Sequence, residues 1–262
     1  DGGHDVPPLT VTVWSDADAL AEAVAARLVT HVVRVQADRG SASVALTGGG
    51  VGIAVLAAIA RSDSRDAVDW SALDVWWSDE RFVGVDDPER NERQAREALL
   101  DHVRVDPARV HAMPAAVDGA DVHTAASTYA GLLAQHADIE AHAPVPRIDV
   151  MLLGLGPDGH VASLFPHQPA LYDTRTVVGV EAAPKPPPQR ITMTLPAIQA
   201  ADEVWLVVAG AEKAPATQLA LGGAGPMAVP AVAAHGRHAT TWLLDRAAAS
   251  ALPPGLARPA SP

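Results

Sequence analysis

A carboxylate and an imidazole stand two positions apart in the stretch Asp149–Pro166, which reads DVMLLGLGPDGHVASLFP. Asp158 and His160 both handle protons, and an imidazole changes charge near neutrality, so acid–base chemistry is within their reach. Asp79, Glu80 and Arg81 form a second charged cluster, in SDERF. A third candidate is Thr47-Gly48-Gly49-Gly50-Val51-Gly52. If a strand runs into this turn and a helix leaves it, free backbone N–H groups and the positive end of a helix dipole meet at one point, which favours phosphate. Lys213 heads another expected helix, where a lysine is locally unfavourable unless an anion lies beside it. Lys185 and Arg190 flank a proline-rich connector. Plainer readings stay open: an exposed Gly-Pro-Asp-Gly turn with a surface histidine, a glycine turn without ligand, and a solvated charge run.

The surrounding elements are expected to bring these groups together. Asp149–Leu153 is a short apolar run rich in Val, Leu and Met, which predicts a buried strand ending at the Asp158 loop. Leu9–Trp14, Ser43–Leu46, Leu73–Trp77, Thr176–Val180, Arg190–Leu195, Glu203–Val208 and Thr240–Leu244 read as further strands, with a shorter one at Val110–Met113. Helices are expected from a Ser15 cap with Asp18 to about Arg34, then over Ile53–Arg61, Asn91–Val103, Asp121 to about Ala141, Ala214–Leu221 and Arg246–Leu252. Strand–helix alternation of this kind predicts an α/β fold, a mostly parallel sheet with helices on both faces. Three strands then deliver special residues at their carboxyl ends, where open α/β sheets keep their ligands. The loop Gly84–Asn91 is long enough to fold over such a site.

The 262 residues, 48% of them apolar, suit one core. A lead over residues 1–8, one domain over 9–252 and a frayed tail over 253–262 are expected. No window is apolar enough for a membrane span, and the start lacks the features of an export signal, so the protein is expected to be cytoplasmic. Zero cysteines exclude disulfides, thiolate metal sites and cysteine nucleophiles. The formal charge of −12 argues against nucleic acid or an anionic membrane as partner. His123, His136 and His142 do not fall at metal-ligand spacing with a carboxylate, so no metal and no cofactor is expected. The glycine stretch lacks the Lys-Ser/Thr of a nucleotide P-loop and the later acidic residue of a dinucleotide fold, which favours a sugar phosphate.

TGGGVG, SDERFVGVDDPERN, GLGPDGHVASLFP and PKPPPQRITMTLPAIQAADEVWLVVAGAEKA together resemble the 6-phosphogluconolactonase family, over about Leu9 to Leu252. The resemblance implies a modified Rossmann-like α/β fold shared with amino-sugar phosphate isomerase/deaminases. It implies hydrolysis of 6-phospho-D-glucono-1,5-lactone in the oxidative pentose phosphate pathway, by attack of water on the lactone carbonyl. His160 would be the general base and Asp158 would organise the imidazole or the water. Arg81 would contact the carbonyl or the phosphate through its planar fork, with Asp79 and Glu80 orienting it. Arg190, Lys213 and Lys185, with Thr47, Gly48, Gly49 and Gly50, would hold the phosphate. The expected partner is therefore a small sugar-phosphate lactone, and the expected assembly a monomer or weak homo-oligomer. The first loop departs from the family's Ser-Gly-Gly-Ser-Thr-Pro, which leaves the phosphate to backbone N–H groups and the Thr47 hydroxyl. Two alternatives remain: an amino-sugar-6-phosphate isomerase/deaminase, and a non-catalytic sugar-phosphate sensor.

Overall fold

The computed structural model describes residues 7–140 and 143–260. Along the first half run β1 (Leu9–Trp14), α1 (Ala17–Arg39), β2 (Ala42–Leu46), α2 (Gly50–Arg61), β3 (Leu73–Trp77), β4 (Asp79–Arg81) and α3 (Asn91–Ala98). Then come α4 (Val122–Gln135), β5 (Val150–Leu153), β6 (Val177–Val180), β7 (Arg190–Met193) and α5 (Leu195–Gln199). The chain continues through β8 (Glu203–Val208), α6 (Ala214–Leu221), β9 (Ala239–Asp245) and β10 (Arg258–Pro259).

Seven strands make one sheet in the order β10-β1-β9-β8-β5-β2-β3, and every neighbouring pair in it is parallel. Successive side chains of a strand point to opposite faces, so one residue set meets each covering layer. Val44, Leu46, Val75, Trp77, Leu152 and Val207 pack with Leu20, Val24 and Leu28 of α1, Leu56 of α2 and Ala95 of α3. Their neighbours Ala45, Trp76, Met151, Leu153, Leu206 and Val208 face Tyr129 and Leu133 of α4. A sheet covered on both sides requires near-continuous apolar strands, which is why VMLL and EVWLVV carry almost no polar residue. Each fully buried Leu or Val contributes about 1.5–3 kcal/mol of transfer free energy.

The second layer includes a structure absent from the expected pattern. β4, β7 and β6 form a separate three-stranded antiparallel sheet, with Arg81 opposite Arg190 and Glu80 opposite Ile191. Ile191, Met193 and Val177 seat it on the core. This small sheet turns the SDER segment inward over the end of the large one.

Several boundaries differ from expectation for local reasons. Asp16, rather than Ser15, caps α1 by accepting from the Ala19 N–H at 2.8 Å, and the helix runs to Arg39 before Gly40 turns it at φ 82°. α3 stops at Ala98 and passes into a short 3-10 turn over Leu100–His102. Val110 forms only a single bridge to Val75, so no strand exists there. α4 ends at Gln135; its expected end at Ala141, and His142, lie outside the described residues. Arg190–Met193 is shorter than expected because α5 begins at Leu195 with Pro196 in its first turn.

Residues 246–252 form successive turns instead of a helix. The Asp245 carboxylate accepts from Ala248 N–H at 2.8 Å and also from Gly210 N–H at 3.1 Å, which ties the segment to a distant loop. The tail is not frayed as expected: Arg258 and Pro259 lie beside Thr12 and Val13, and Ala260 N–H donates to Val13 O at 2.9 Å. Residues 1–6 of the expected lead and 261–262 of the tail lie outside the described residues. Among the described residues, no helix is long and apolar enough to cross a membrane, and no cluster of His, Asp or Glu could hold a metal ion.

Candidate active site

The turn after β5 is closed by its own backbone. Gly156 N–H donates to His160 O, and Gly159 N–H to Gly156 O, both at 2.9 Å. Asp158 Oδ1 accepts from His160 N–H at 3.1 Å and lies 2.5 Å from His160 Nδ1. Gly156 is required by close approach, since a methyl at that position would overlap the His160 ring and the Asp158 carboxylate. The imidazole also rests against Phe165, with ring centroids 4.6 Å apart. Burial by itself would raise the Asp158 carboxyl, but the hydrogen bond and charge of His160 outweigh it and hold the group below the usual carboxylate range. The imidazole side chain is 15% exposed, so a small solvent-facing part remains for a ligand.

His160 borders a cleft of about 450 Å³ at the carboxyl ends of the central strands. Thr47, Gly48, Gly49 and Gly50 form its facing wall. α2 starts at Gly50, and its N-cap Gly49 provides no side-chain acceptor. The first N–H groups of that helix therefore lack an intrahelical or capping partner, at the end where the dipole is positive.

The second sheet supplies another wall and corrects the reading of SDER. Asp79 and Glu80 are 6% and 0% exposed, so they are no solvated run. They do not hold the Arg81 guanidinium either. Ser163 Oγ donates to Asp79 Oδ2 at 2.7 Å. Glu80 accepts from the backbone N–H groups of Arg81, Asn91 and Glu92 at 2.8, 2.7 and 2.9 Å, with Arg90 Nη1 at 3.8 Å. Burial pushes the Glu80 carboxyl up to about 7, opposed by Arg90 and these N–H groups. Arg81 Nη1 donates instead to Glu89 O at 2.9 Å and Asn91 Oδ1 at 2.8 Å. Its Nε and Nη2 meet no acceptor among the described residues and are left to a ligand.

Lys185, Arg190 and Lys213 join Arg81 on the cleft. Arg190 is less available than its charge implies. Its Nε donates to Pro187 O at 3.1 Å and its Nη2 to the Lys185 and Pro186 carbonyls at 3.2 Å, so it clasps the proline-rich connector. Burial lowers its pKa, with Asp79 opposing. Lys213 Nζ donates to Leu155 O at 2.6 Å, which accounts for part of its placement before α6. Burial, then the nearby Lys185 charge, lowers its pKa. Lys185 itself is exposed.

Of the twelve residues given a role in the sequence, ten line the cleft and Asp158 reaches it through its contact with His160, whereas Glu80 is buried behind it and does not line it. The sequence reading missed Asn91, Asp18 and Glu212, which also line the cleft. Asp18 reads as a helix-start acid and Glu212 as part of a charged turn, so neither carries a distinguishing signal. Asn91 reads as the end of the Gly84–Asn91 loop over the site and the start of the helix after it, without a role of its own. The arrangement offers a base with an oriented imidazole, cations around it and a helix N-terminus, which suits an anionic substrate with an electrophilic carbonyl.

Residues 15–242 match the family model described as glucosamine-6-phosphate isomerases/6-phosphogluconolactonase. A 6-phosphogluconolactonase of Streptomyces coelicolor is 58% identical over 260 residues, covering 98% of this chain and 99% of that protein. The 6-phosphogluconolactonase of Mycobacterium tuberculosis is 49% identical over 247 residues, covering 93% and 98%. Among solved structures, 6-phosphogluconolactonase from Trypanosoma brucei superposes with a TM-score of 0.77 at 27% identity, covering 95% of this chain and 100% of that one.

Proposed function

The chain belongs to the glucosamine-6-phosphate isomerase/6-phosphogluconolactonase family, and we propose that His160 and Asp158 carry out its reaction, hydrolysis of 6-phospho-D-glucono-1,5-lactone to 6-phospho-D-gluconate. The relatives at 58% and 49% identity are lactonases, which favours this reaction over the deaminase alternative. The observation that carries the role assignment is the His160 Nδ1 contact to Asp158 at 2.5 Å, inside a cleft ringed by cations.

Asp158 accepts a proton-bearing Nδ1, which leaves Nε2 with its lone pair as the base. Water gives a proton to Nε2 while its oxygen bonds to the lactone carbonyl carbon. The carbonyl oxygen gains negative charge, which a nearby guanidinium such as the open side of Arg81 stabilises. The ring C–O bond then breaks, and the imidazolium returns its proton to the leaving hydroxyl oxygen. The proton count closes without a covalent enzyme intermediate. The phosphate is assigned to Lys213, Lys185, the remaining Arg190 nitrogen and the N–H groups at the start of α2. No side-chain hydroxyl beyond Thr47 is required of the glycine loop.

The test is hydrolysis of lactone generated in place, with the spontaneous rate subtracted. A rate for the purified protein no greater than the spontaneous one overturns the reading. Lys213→Ala should raise KM by about tenfold and change kcat by less than about threefold, because a phosphate contact binds substrate and transition state alike. Steady-state kinetics read both parameters, and a fall in kcat alone would assign Lys213 to the chemical step instead.

A further inference from the structure

Asn91 is 2% exposed, yet its amide sits between a cation and a carbonyl that both belong to the site. Its Oδ1 accepts from Arg81 Nη1 at 2.8 Å, and its Nδ2 donates to Asp79 O at 3.1 Å. Its backbone N–H is fixed on Glu80 Oε1 at 2.7 Å, which anchors the start of α3 and with it the side chain. The glycine loop closes on the same amide: a methyl on Gly48 would overlap Asn91 Oδ1. One side chain therefore touches the guanidinium, the β4 backbone and the wall assigned to the phosphate.

The chemistry of these contacts is directional. A guanidinium needs an acceptor and the Asp79 carbonyl needs a donor, and a primary amide provides both at once. An aliphatic residue would provide neither, and a carboxylate would keep only the acceptor. Arg81 Nη1 is held on two sides, by Asn91 and by the Glu89 carbonyl, so its fork has one defined orientation and its other nitrogens stay open to ligand.

We infer that Asn91 is a positioning residue for the lactonase reaction: it sets the orientation of Arg81 toward substrate and seats Gly48 of the glycine loop against the same point. The inference rests on the functional reading above. It makes Asn91 act through Arg81, so its effect must disappear when Arg81 is gone.

A double-mutant cycle over Asn91→Ala and Arg81→Ala tests this, read in kcat and KM of lactone hydrolysis, in calorimetric 6-phosphogluconate affinity and in melting temperature. Asn91→Ala should reduce kcat/KM by roughly ten- to a hundredfold, as a misplaced contact does. It should move whichever of kcat or KM the Arg81→Ala variant moves. Added to Arg81→Ala, it should cost less than about threefold more, since residues in one contact network are non-additive. Asn91→Asp, which keeps an oxygen on Arg81, should recover part of the loss in that same parameter. Multiplying effects in the double variant, different parameters moved by the two single variants, or no recovery with Asp overturns the inference while wild-type turnover stands. A wild type that neither hydrolyses the lactone nor binds 6-phosphogluconate overturns the functional reading and the inference together. If Asn91→Ala does not fold, Asn91→Asp enters the cycle in its place, and its effect must likewise vanish beside Arg81→Ala.

Discussion

Replacing His160 with alanine should lower the background-subtracted rate of lactone hydrolysis by at least about a hundredfold, while the protein stays folded and still binds 6-phosphogluconate. The separation is expected because the loop is held by backbone groups that the substitution leaves in place. Gly156 N–H donates to the carbonyl of residue 160, and Gly159 N–H to that of Gly156. Only the ring contacts to Asp158 and Phe165 are removed. The cations that meet the phosphate and the developing oxyanion remain, so a residual rate above the spontaneous one is also expected. Rates, product affinity by calorimetry and a melting curve decide the matter. A drop of less than about threefold with normal folding would move the base elsewhere in the cleft, Asp79 being a buried carboxylate on its lining.

Glu80→Ala should cost about 3–5 kcal/mol of stability, because each buried donor left without its acceptor costs about 1–3 kcal/mol. Three backbone N–H groups lose their acceptor, and Arg90, 2% exposed, keeps Glu92 as its remaining close carboxylate. The cost should depend on pH in a definite direction. Burial lifts the Glu80 carboxyl from 4.5 to about 7, so the folded state binds this proton more tightly than the unfolded chain. Its contribution is therefore fully present below 4.5, is lost as pH rises through about 7, and changes no further above that. The whole difference amounts to at most about 3 kcal/mol. Urea unfolding of the wild type and the variant at pH 5 and pH 8 cancels the titration of every other carboxylate. The destabilisation should be larger at pH 5; equal losses at both values, or a loss under about 1 kcal/mol, would contradict the assignment.

What was legible in the sequence follows from how each signal is encoded. The buried parallel strands announce themselves because covering a sheet on both faces forces unbroken apolar runs such as Val150–Leu153 and Glu203–Val208. The loop that carries Asp158 and His160 was equally plain, since glycines, a proline and two proton-handling groups share one short stretch. The antiparallel sheet was not. Asp79, Glu80 and Arg81 have the composition of an exposed turn, and only the distant Arg90, Ser163 and the start of α3 make their burial tolerable. Residues 246–252 are alanine-rich and favour helix locally, but a segment that short gains little from propagation, and Asp245 binds it to Gly210 instead. Asn91 was legible only as the end of a loop over the site, because its own role depends on two partners from other segments, Arg81 and Gly48.

The short strand β10 bears on how this sheet behaves among its own copies. β1 is otherwise the outermost strand on its side, and its backbone would present unmatched donors and acceptors to solvent. β10 lies along Thr12 and Val13, and the chain beyond it adds the bond from Ala260 to Val13. It is itself two residues long, with a proline at one of them and an arginine at the other. A strand so short, lacking one N–H and carrying a charge, offers little to a second molecule seeking to extend the sheet. Shortening the protein after Leu252 would remove that guard and leave a six-residue parallel edge open to pairing, so such a variant should self-associate as its concentration rises even with the catalytic cleft intact.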